Sequence, residues 1–104
     1  ENIYCAEVEN VLAGHPKIAD VALIGIPDPR WGETPLAVLV PADPADPPTA
    51  EEVQLFSRTQ LASYKCPREI ALVAELPRNA SGKVLKTELR TAYAADGLVS
   101  APAV

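Results

Sequence analysis

Two aliphatic runs, residues 18–27 and 34–41, constrain this chain more than any other feature. Both are rich in Val, Ile and Leu, and between them lies the turn-forming segment Asp28-Pro29-Arg30-Trp31-Gly32-Glu33, so they predict two strands joined as an antiparallel hairpin. A strand with one face in water alternates apolar and polar side chains. These runs are almost continuously apolar, which requires cover on both faces of the sheet, helices on one and further chain on the other.

The remaining segments supply that cover. Val8, Val11 and Leu12 follow an i, i+3, i+4 spacing that predicts a short helix from Cys5 to about His15, with Glu7 and Glu9 turned outward and Gly14 and Pro16 as the stop. Residues 41–48 form a Pro- and Asp-rich loop. Thr49, followed three positions on by Glu52, is a capping-box signature in which each side chain meets the other residue's amide. The helix it opens places Val53, Phe56, Leu61 and Tyr64 on one side and leaves Leu55 off that stripe. Residues 69–76 read as a third strand and 77–82 as a polar turn. A last helix buries Leu85, Leu89, Ala92 and Tyr93 until Gly97 stops it, and residues 98–104 trail as a frayed tail. The fold class is α+β, a small three-stranded sheet (the hairpin plus one further strand) packed with helices in the order α-β-β-α-β-α. At 104 residues, 1–104 forms a single domain.

Composition excludes several function classes. With 48% hydrophobic and 22% charged residues the chain is neither disordered nor a coiled coil, and no apolar stretch approaches the roughly 20 residues of a membrane-spanning helix. The first residues carry neither a basic region nor a long apolar one, so no targeting peptide is read there, and a start in mid-element without Met predicts a piece of a longer protein. Cys5 and Cys66 lie far apart with no His-rich neighbourhood, which argues against a disulfide scaffold or any metal site and for a reducing cytoplasm. A net charge of −5 argues against nucleic acid as a partner. The bases nevertheless cluster: Lys65, Arg68, Arg78, Lys83, Lys86 and Arg90 outnumber Glu69, Glu75 and Glu88 in one stretch. If the chain handles an anion, it does so there; the alternative is an ordinary solvated face.

Few residues suit catalysis. The single histidine, His15, sits beside Pro16 at the end of the first helix, a capping position, and no nucleophile and acid are spaced to make a triad with it. Gly82-Lys83 is not a P-loop, because Val84 stands where Ser or Thr would hold magnesium and Pro77 where the first Gly would stand. What remains is Pro77-Arg78-Asn79-Ala80-Ser81-Gly82-Lys83-Val84-Leu85-Lys86, a turn delivering a lysine to a helix start. Small turn residues let backbone approach a phosphate, and Lys83 adds an ammonium with three donors. Equally, Ser81 is the N-cap of a helix and Lys83 an exposed lysine.

Five blocks, read together, carry a resemblance. Glu-Asn-Ile-Tyr at 1–4, Ala-Glu-Val-Glu at 6–9, Asp28 to Glu33 with its Trp-Gly-Glu, Tyr-Lys-Cys-Pro at 64–67, and Leu76 to Leu85 resemble, in order and spacing, the C-terminal domain of the acyl-CoA synthetases among the adenylate-forming enzymes. The Pro-Arg-Asn-Ala-Ser-Gly-Lys block is the most specific of them. The first block is closer to CoA ligases for fatty or aryl acids than to peptide-synthetase adenylation domains.

The resemblance implies a two-step ligase. A carboxylate attacks the α-phosphate of ATP to give acyl-adenylate and pyrophosphate, and the CoA thiol then displaces AMP. Lys83 matches the adenylation lysine, within a loop that includes Ser81 and Gly82. Asn2, Ile3 and Tyr4 match the pantetheine route. Trp31, Tyr64 and Arg68 match positions near the CoA nucleotide, although Trp31 also fits a role packing on the hairpin turn and Tyr64 a place in the core. Cys5 stands where many relatives have proline, and Cys66 where some have arginine; neither is expected to be catalytic. The domain is then the mobile C-terminal lid of a larger two-domain ligase, inactive alone. Its partner is an N-terminal adenylation domain, which would hold ATP, Mg2+ and most of the acyl pocket, with a carboxylic acid and CoA as the other substrates and no cofactor held by this chain alone. Two other readings stand beside it: a ligase passing a fatty acyl-adenylate to a carrier protein, and a non-catalytic interaction module that keeps the fold.

Overall fold

A computed structural model describes residues 3–30 and 32–94, with the backbone alone described at Ile3. The elements are α1 (Ile3–Leu12), β1 (Ile18–Asp28), β2 (Gly32–Pro41), α2 (Ala50–Arg58), a single 3-10 turn (Ser63–Lys65), β3 (Glu69–Leu72) and α3 (Lys86–Ala94), in the predicted order α-β-β-α-β-α. The strands form one sheet in the order β1-β2-β3. β1 and β2 are antiparallel, from Ile18 opposite Pro41 to Asp28 opposite Gly32, so the connection is only three residues long, and Gly32 supplies the left-handed φ of +82° that such a turn requires. β3 joins the other edge of β2 in parallel, Leu36 opposite Glu69 through Leu39 opposite Leu72. It is shorter than the strand predicted over 69–76, because the chain leaves the sheet after Val73 donates to the Leu39 carbonyl.

The continuous apolar character of the hairpin is explained by two cores. On one face Val8 and Leu12 of α1 and Val53 of α2 pack with Leu23, Ala37, Leu39 and Ile70. On the other, Leu89 of α3 and Leu76, from the segment before it, pack with Ala22, Ile24, Ile26, Leu36, Val38 and Ala71. Successive residues of β2 thus serve opposite cores, and Leu36, Ala37, Val38 and Leu39 are all fully buried. Each buried leucine contributes about 1.5–3 kcal/mol. β1 contains one irregularity, between Ile18 and Asp20. It puts Ile18 in the same core as Leu23, although an uninterrupted strand would place residues 18 and 23 on opposite faces.

Several local readings change in the structure. Glu9 is not turned outward: its Oε2 accepts the Leu23 amide at 2.8 Å and pairs with Lys86 Nζ at 2.8 Å. Tyr64 belongs to the 3-10 turn rather than to the α2 stripe and is 70% exposed, while Leu55 is exposed as expected. α3 begins at Lys86, so Leu85 precedes it and Ser81 is not its N-cap, and Ala92 faces solvent. Gly97 and the tail 98–104 lie outside the described residues. His15 makes no side-chain cap; its backbone donates to the Leu12 carbonyl, its Nδ1 accepts the Lys17 amide and its ring meets Phe56 edge-on.

The capping box is present in full. Thr49 Oγ1 accepts the Glu52 amide at 3.0 Å and Glu52 Oε1 accepts the Thr49 amide at 2.9 Å. Lys17 reaches the same carboxylate at 3.0 Å and also Asp46 at 3.2 Å, tying the Pro-rich loop and α2 to the start of β1. Thr49→Ala is expected to cost about 1 kcal/mol, read as a lowered urea midpoint with unchanged slope. The Thr49 amide, and then Lys17, hold the Glu52 carboxyl below the usual glutamate range. Its stabilising contribution is therefore complete above the ordinary carboxylate value and lost as the pH falls through the lower folded one. A Glu52→Gln variant should lose less stability on acidification than the parent, measured by urea melts across that range.

Candidate functional site

Asn79 organises the turn that carries Lys83. Its side-chain Oδ1 accepts the Ser81 amide at 3.0 Å, the Ser81 hydroxyl at 2.8 Å and the Lys83 amide at 2.9 Å. Its own amide donates to the Lys83 carbonyl at 2.9 Å, and its carbonyl accepts the Gly82 amide at 3.0 Å. The turn closes with Arg78 bridged to Val84, and Gly82 adopts a φ of +88° that a side chain would oppose. Lys83 is thereby held by its backbone on both sides while its side chain is exposed beside the first turn of α3. A fixed Cα with a mobile ammonium suits a residue that must meet an anion arriving from outside the chain.

The basic stretch is divided by its pairing. Lys65 meets Glu7 at 2.7 Å, Arg78 meets Asp20 at 2.6 Å and Lys86 meets Glu9 at 2.8 Å, so the acids of the first twenty residues neutralise half of it. Arg68, Lys83 and Arg90 form no salt bridge among the described residues. The positive charge left for a ligand is concentrated on these three.

A second region lies away from Lys83. Tyr4 and Tyr64 meet edge-to-face with centroids 6.0 Å apart, and Lys65 Nζ sits 4.9 Å and 5.7 Å from their ring centres. The hydrogen bond that Lys65 Nζ donates to the Glu7 carboxylate holds the ammonium above its ordinary pKa. Tyr64 borders two grooves. One, of about 340 Å³, runs between α2 and the 3-10 turn past Arg58, Cys66 and Arg68. The other, of about 250 Å³, passes Tyr4, Lys65, Gly25 and Glu33. A Cβ at Gly25 would lie 2.5 Å from the Glu33 carboxylate, so glycine there makes room for that side chain where it lines the groove. The structure therefore joins Tyr4, Tyr64 and Arg68 along connected grooves, none of which includes Lys83. Arg90 borders both the Tyr4 groove and the concavity at Lys83.

Asn2 and Trp31 lie outside the described residues, as does the Ile3 side chain. Two residues of the first groove were not singled out from sequence. Arg58 lines it together with buried Gln54, whose Nε2 donates to the Arg68 carbonyl at 3.2 Å. Their i, i+4 spacing on α2 was the available signal. Cys66 is buried, and burial pushes its thiol above the ordinary value, which fits a packing residue and not a nucleophile. Among the described residues no group of three or more His, Cys, Asp or Glu is placed to hold a metal.

Residues 7–83 match the family described as the AMP-binding enzyme C-terminal domain. A feruloyl-CoA synthase from an Amycolatopsis species is 48% identical over 93 residues, covering 89% of this chain and 19% of that protein. The fatty acid–[acyl-carrier-protein] ligase ScoC of Streptomyces coeruleorubidus is 45% identical over 96 residues, 92% of this chain and 18% of its own. The structure of a Mycobacterium tuberculosis fatty acyl CoA synthetase superposes with a TM-score of 0.81 at 42% identity, covering 91% of this chain and 18% of that one. The chain thus spans about a fifth of the length of the relatives it matches. With the three-stranded sheet, both helical layers and the Lys83 turn in place, the chain belongs to the C-terminal domain family of the AMP-binding, adenylate-forming enzymes, whose members here include acyl- and aryl-CoA synthetases and an acyl-carrier-protein ligase.

Proposed function

We propose that this chain is the mobile C-terminal lid of an ATP-dependent, AMP-forming acid–thiol ligase, and that Lys83 is its adenylation residue. The observation that carries the reading is Lys83 itself: its backbone is locked by Asn79, and its ammonium forms no salt bridge among the described residues. In the first half-reaction a carboxylate oxygen of the acid bonds to the α-phosphorus of ATP while the bond to pyrophosphate breaks. Lys83 bridges the carboxylate and the α-phosphate oxygens, offsetting charge that builds up there in line with the leaving group. An ammonium is compact enough to face both partners.

In the second half-reaction the CoA sulfur bonds to the acyl carbon and AMP leaves. The grooves along Tyr4, Tyr64 and Arg68 are assigned to CoA, with Asn2, Ile3 and Trp31 beside them by family resemblance and Arg58 added from the geometry. The separation of these grooves from Lys83 supports a lid that turns between half-reactions and offers a different face to each. Serine and glycine at 81 and 82 serve the first face by shaping the turn. ATP, Mg2+ and the acid are assigned to an N-terminal adenylation domain, and the isolated chain is expected to be inactive. The substrate class is a carboxylic acid, with a fatty acid as the first candidate, in a cytoplasmic setting.

The test uses the full-length ligase carrying Lys83→Ala. Acid-dependent ATP/pyrophosphate exchange should fall by about 10²–10³-fold, while conversion of supplied acyl-adenylate to acyl-CoA persists. Unchanged exchange would make the turn structural and favour a non-catalytic interaction module. The 45% identity to an acyl-carrier-protein ligase supports a second reading, in which the acceptor thiol belongs to a carrier protein. Incubating the ligase with ATP, acid and free CoA separates the two: acyl-CoA is expected, whereas accumulation of acyl-adenylate with CoA unconsumed would select the carrier.

A further inference from the structure

The outer edge of β1 and the two ends of the Lys83 turn are held by the same pair of acids. β1 is an edge strand, so amides that do not face β2 need other partners. Asp20 Oδ1 accepts the Val21 amide at 3.0 Å, and its other oxygen, Oδ2, accepts from Arg78 Nη2 at 2.6 Å. Two residues along, Glu9 Oε2 accepts the Leu23 amide at 2.8 Å and pairs with Lys86 Nζ at 2.8 Å. Arg78 and Lys86 are the residues at which the turn carrying Lys83 begins and α3 starts. Arg78 also reaches inward, its Nη1 donating to the Gly82 carbonyl at 2.6 Å, the residue directly before Lys83.

Asp20 lies two and four positions before Ala22 and Ile24 in the regular part of β1, so it falls on their face, which is the one covered by α3, and not on the face of Val21 and Leu23. The Glu9–Lys86 pair is largely shielded, with side-chain exposures of 21% and 12%; the Asp20–Arg78 pair is more open, at 36% and 41%. A salt bridge that exposed adds little to global stability. Its geometry is nevertheless specific, because one guanidinium spans the strand edge and the Gly82 carbonyl at once.

We propose that Asp20, acting through Arg78, is a positioning residue for Lys83, with the Glu9–Lys86 pair as the second fixed point of the same turn. The inference rests on the reading of Lys83 as the adenylation residue. Neither acid touches substrate. Asp20 fixes the position from which the Lys83 ammonium starts, and in-line phosphoryl chemistry is sensitive to displacements of that group on the ångström scale.

The experiment compares Asp20→Asn, Asp20→Glu and Lys83→Ala, singly and with Asp20→Asn and Lys83→Ala combined, in the full-length ligase. ATP/pyrophosphate exchange, thioester formation from supplied acyl-adenylate and the thermal midpoint are measured for each. Asp20→Asn should lower kcat for exchange about 10–100-fold with the thioester step and midpoint nearly unchanged, and Asp20→Glu should recover part of the loss. Added to Lys83→Ala, Asp20→Asn should cause no further loss of exchange. An exchange rate unaffected by Asp20→Asn, an equal fall in both half-reactions, or a full additional loss in the Lys83→Ala background would each overturn the proposal. Retention of exchange by Lys83→Ala would instead overturn the reading on which it rests. If Asp20→Asn melts below the assay temperature, Arg78→Lys carries the same comparison, since an ammonium keeps the charge but cannot hold Asp20 and Gly82 in the same fork.

Discussion

The burial of β2 on both faces is the constraint from which the rest of this domain follows. Leu36 to Leu39 send successive side chains into two different cores, and none of the four retains contact with water. Two layers of cover are therefore needed, and the chain supplies them from opposite ends: α1 and α2 close one core, while α3 and the segment leading to it close the other. β3 pairs in parallel with β2, a geometry that needs a long crossover, and the stretch from Pro41 to Glu69 through α2 provides it.

That wrapping brings the N-terminal acids to the C-terminal bases. Glu7, Glu9 and Asp20 come from α1 and the start of β1, and their partners Lys65, Arg78 and Lys86 come from the later half of the chain. In sequence the bases form one run that could be a solvated face or an anion site. In the fold the run is split: three bases are spent on holding the elements together, and Arg68, Lys83 and Arg90 pair with no acid among the described residues. Pairing also explains why Glu9 is drawn inward. A carboxylate that meets an otherwise unpaired strand-edge amide and a lysine is better placed there than in water.

Much was legible in the sequence because the relevant physics is local. The hairpin followed from two aliphatic runs around a short turn, the start of α2 from Thr49 and Glu52, and the turn before α3 from a run of small and turn-forming residues closing on Lys83. Tyr64, Ala92 and Ser81 show where local reading ends. Helical spacing assigned Tyr64 to an apolar stripe, but α2 stops at Arg58, and a separate 3-10 turn presents the ring to solvent against Tyr4. Ser81 has the right chemistry for an N-cap, but Asn79 takes its hydroxyl and α3 begins only at Lys86.

The sequence by itself determined the element order, the two-sided burial of the hairpin and the capping box, all of which depend on neighbours within a few positions or on periodicity. Only the tertiary structure decided the parallel pairing of β3, the irregularity in β1, the pairing of Asp20 with Arg78, the inward Glu9, and the separation of Lys83 from the Tyr4–Tyr64 grooves. These depend on which residues meet across 58 positions of chain, as Lys65 and Glu7 or Arg78 and Asp20 do. No local propensity encodes such meetings, because they arise only when two cores close on opposite faces of one sheet and bring α1 and the start of α3 together at its edge.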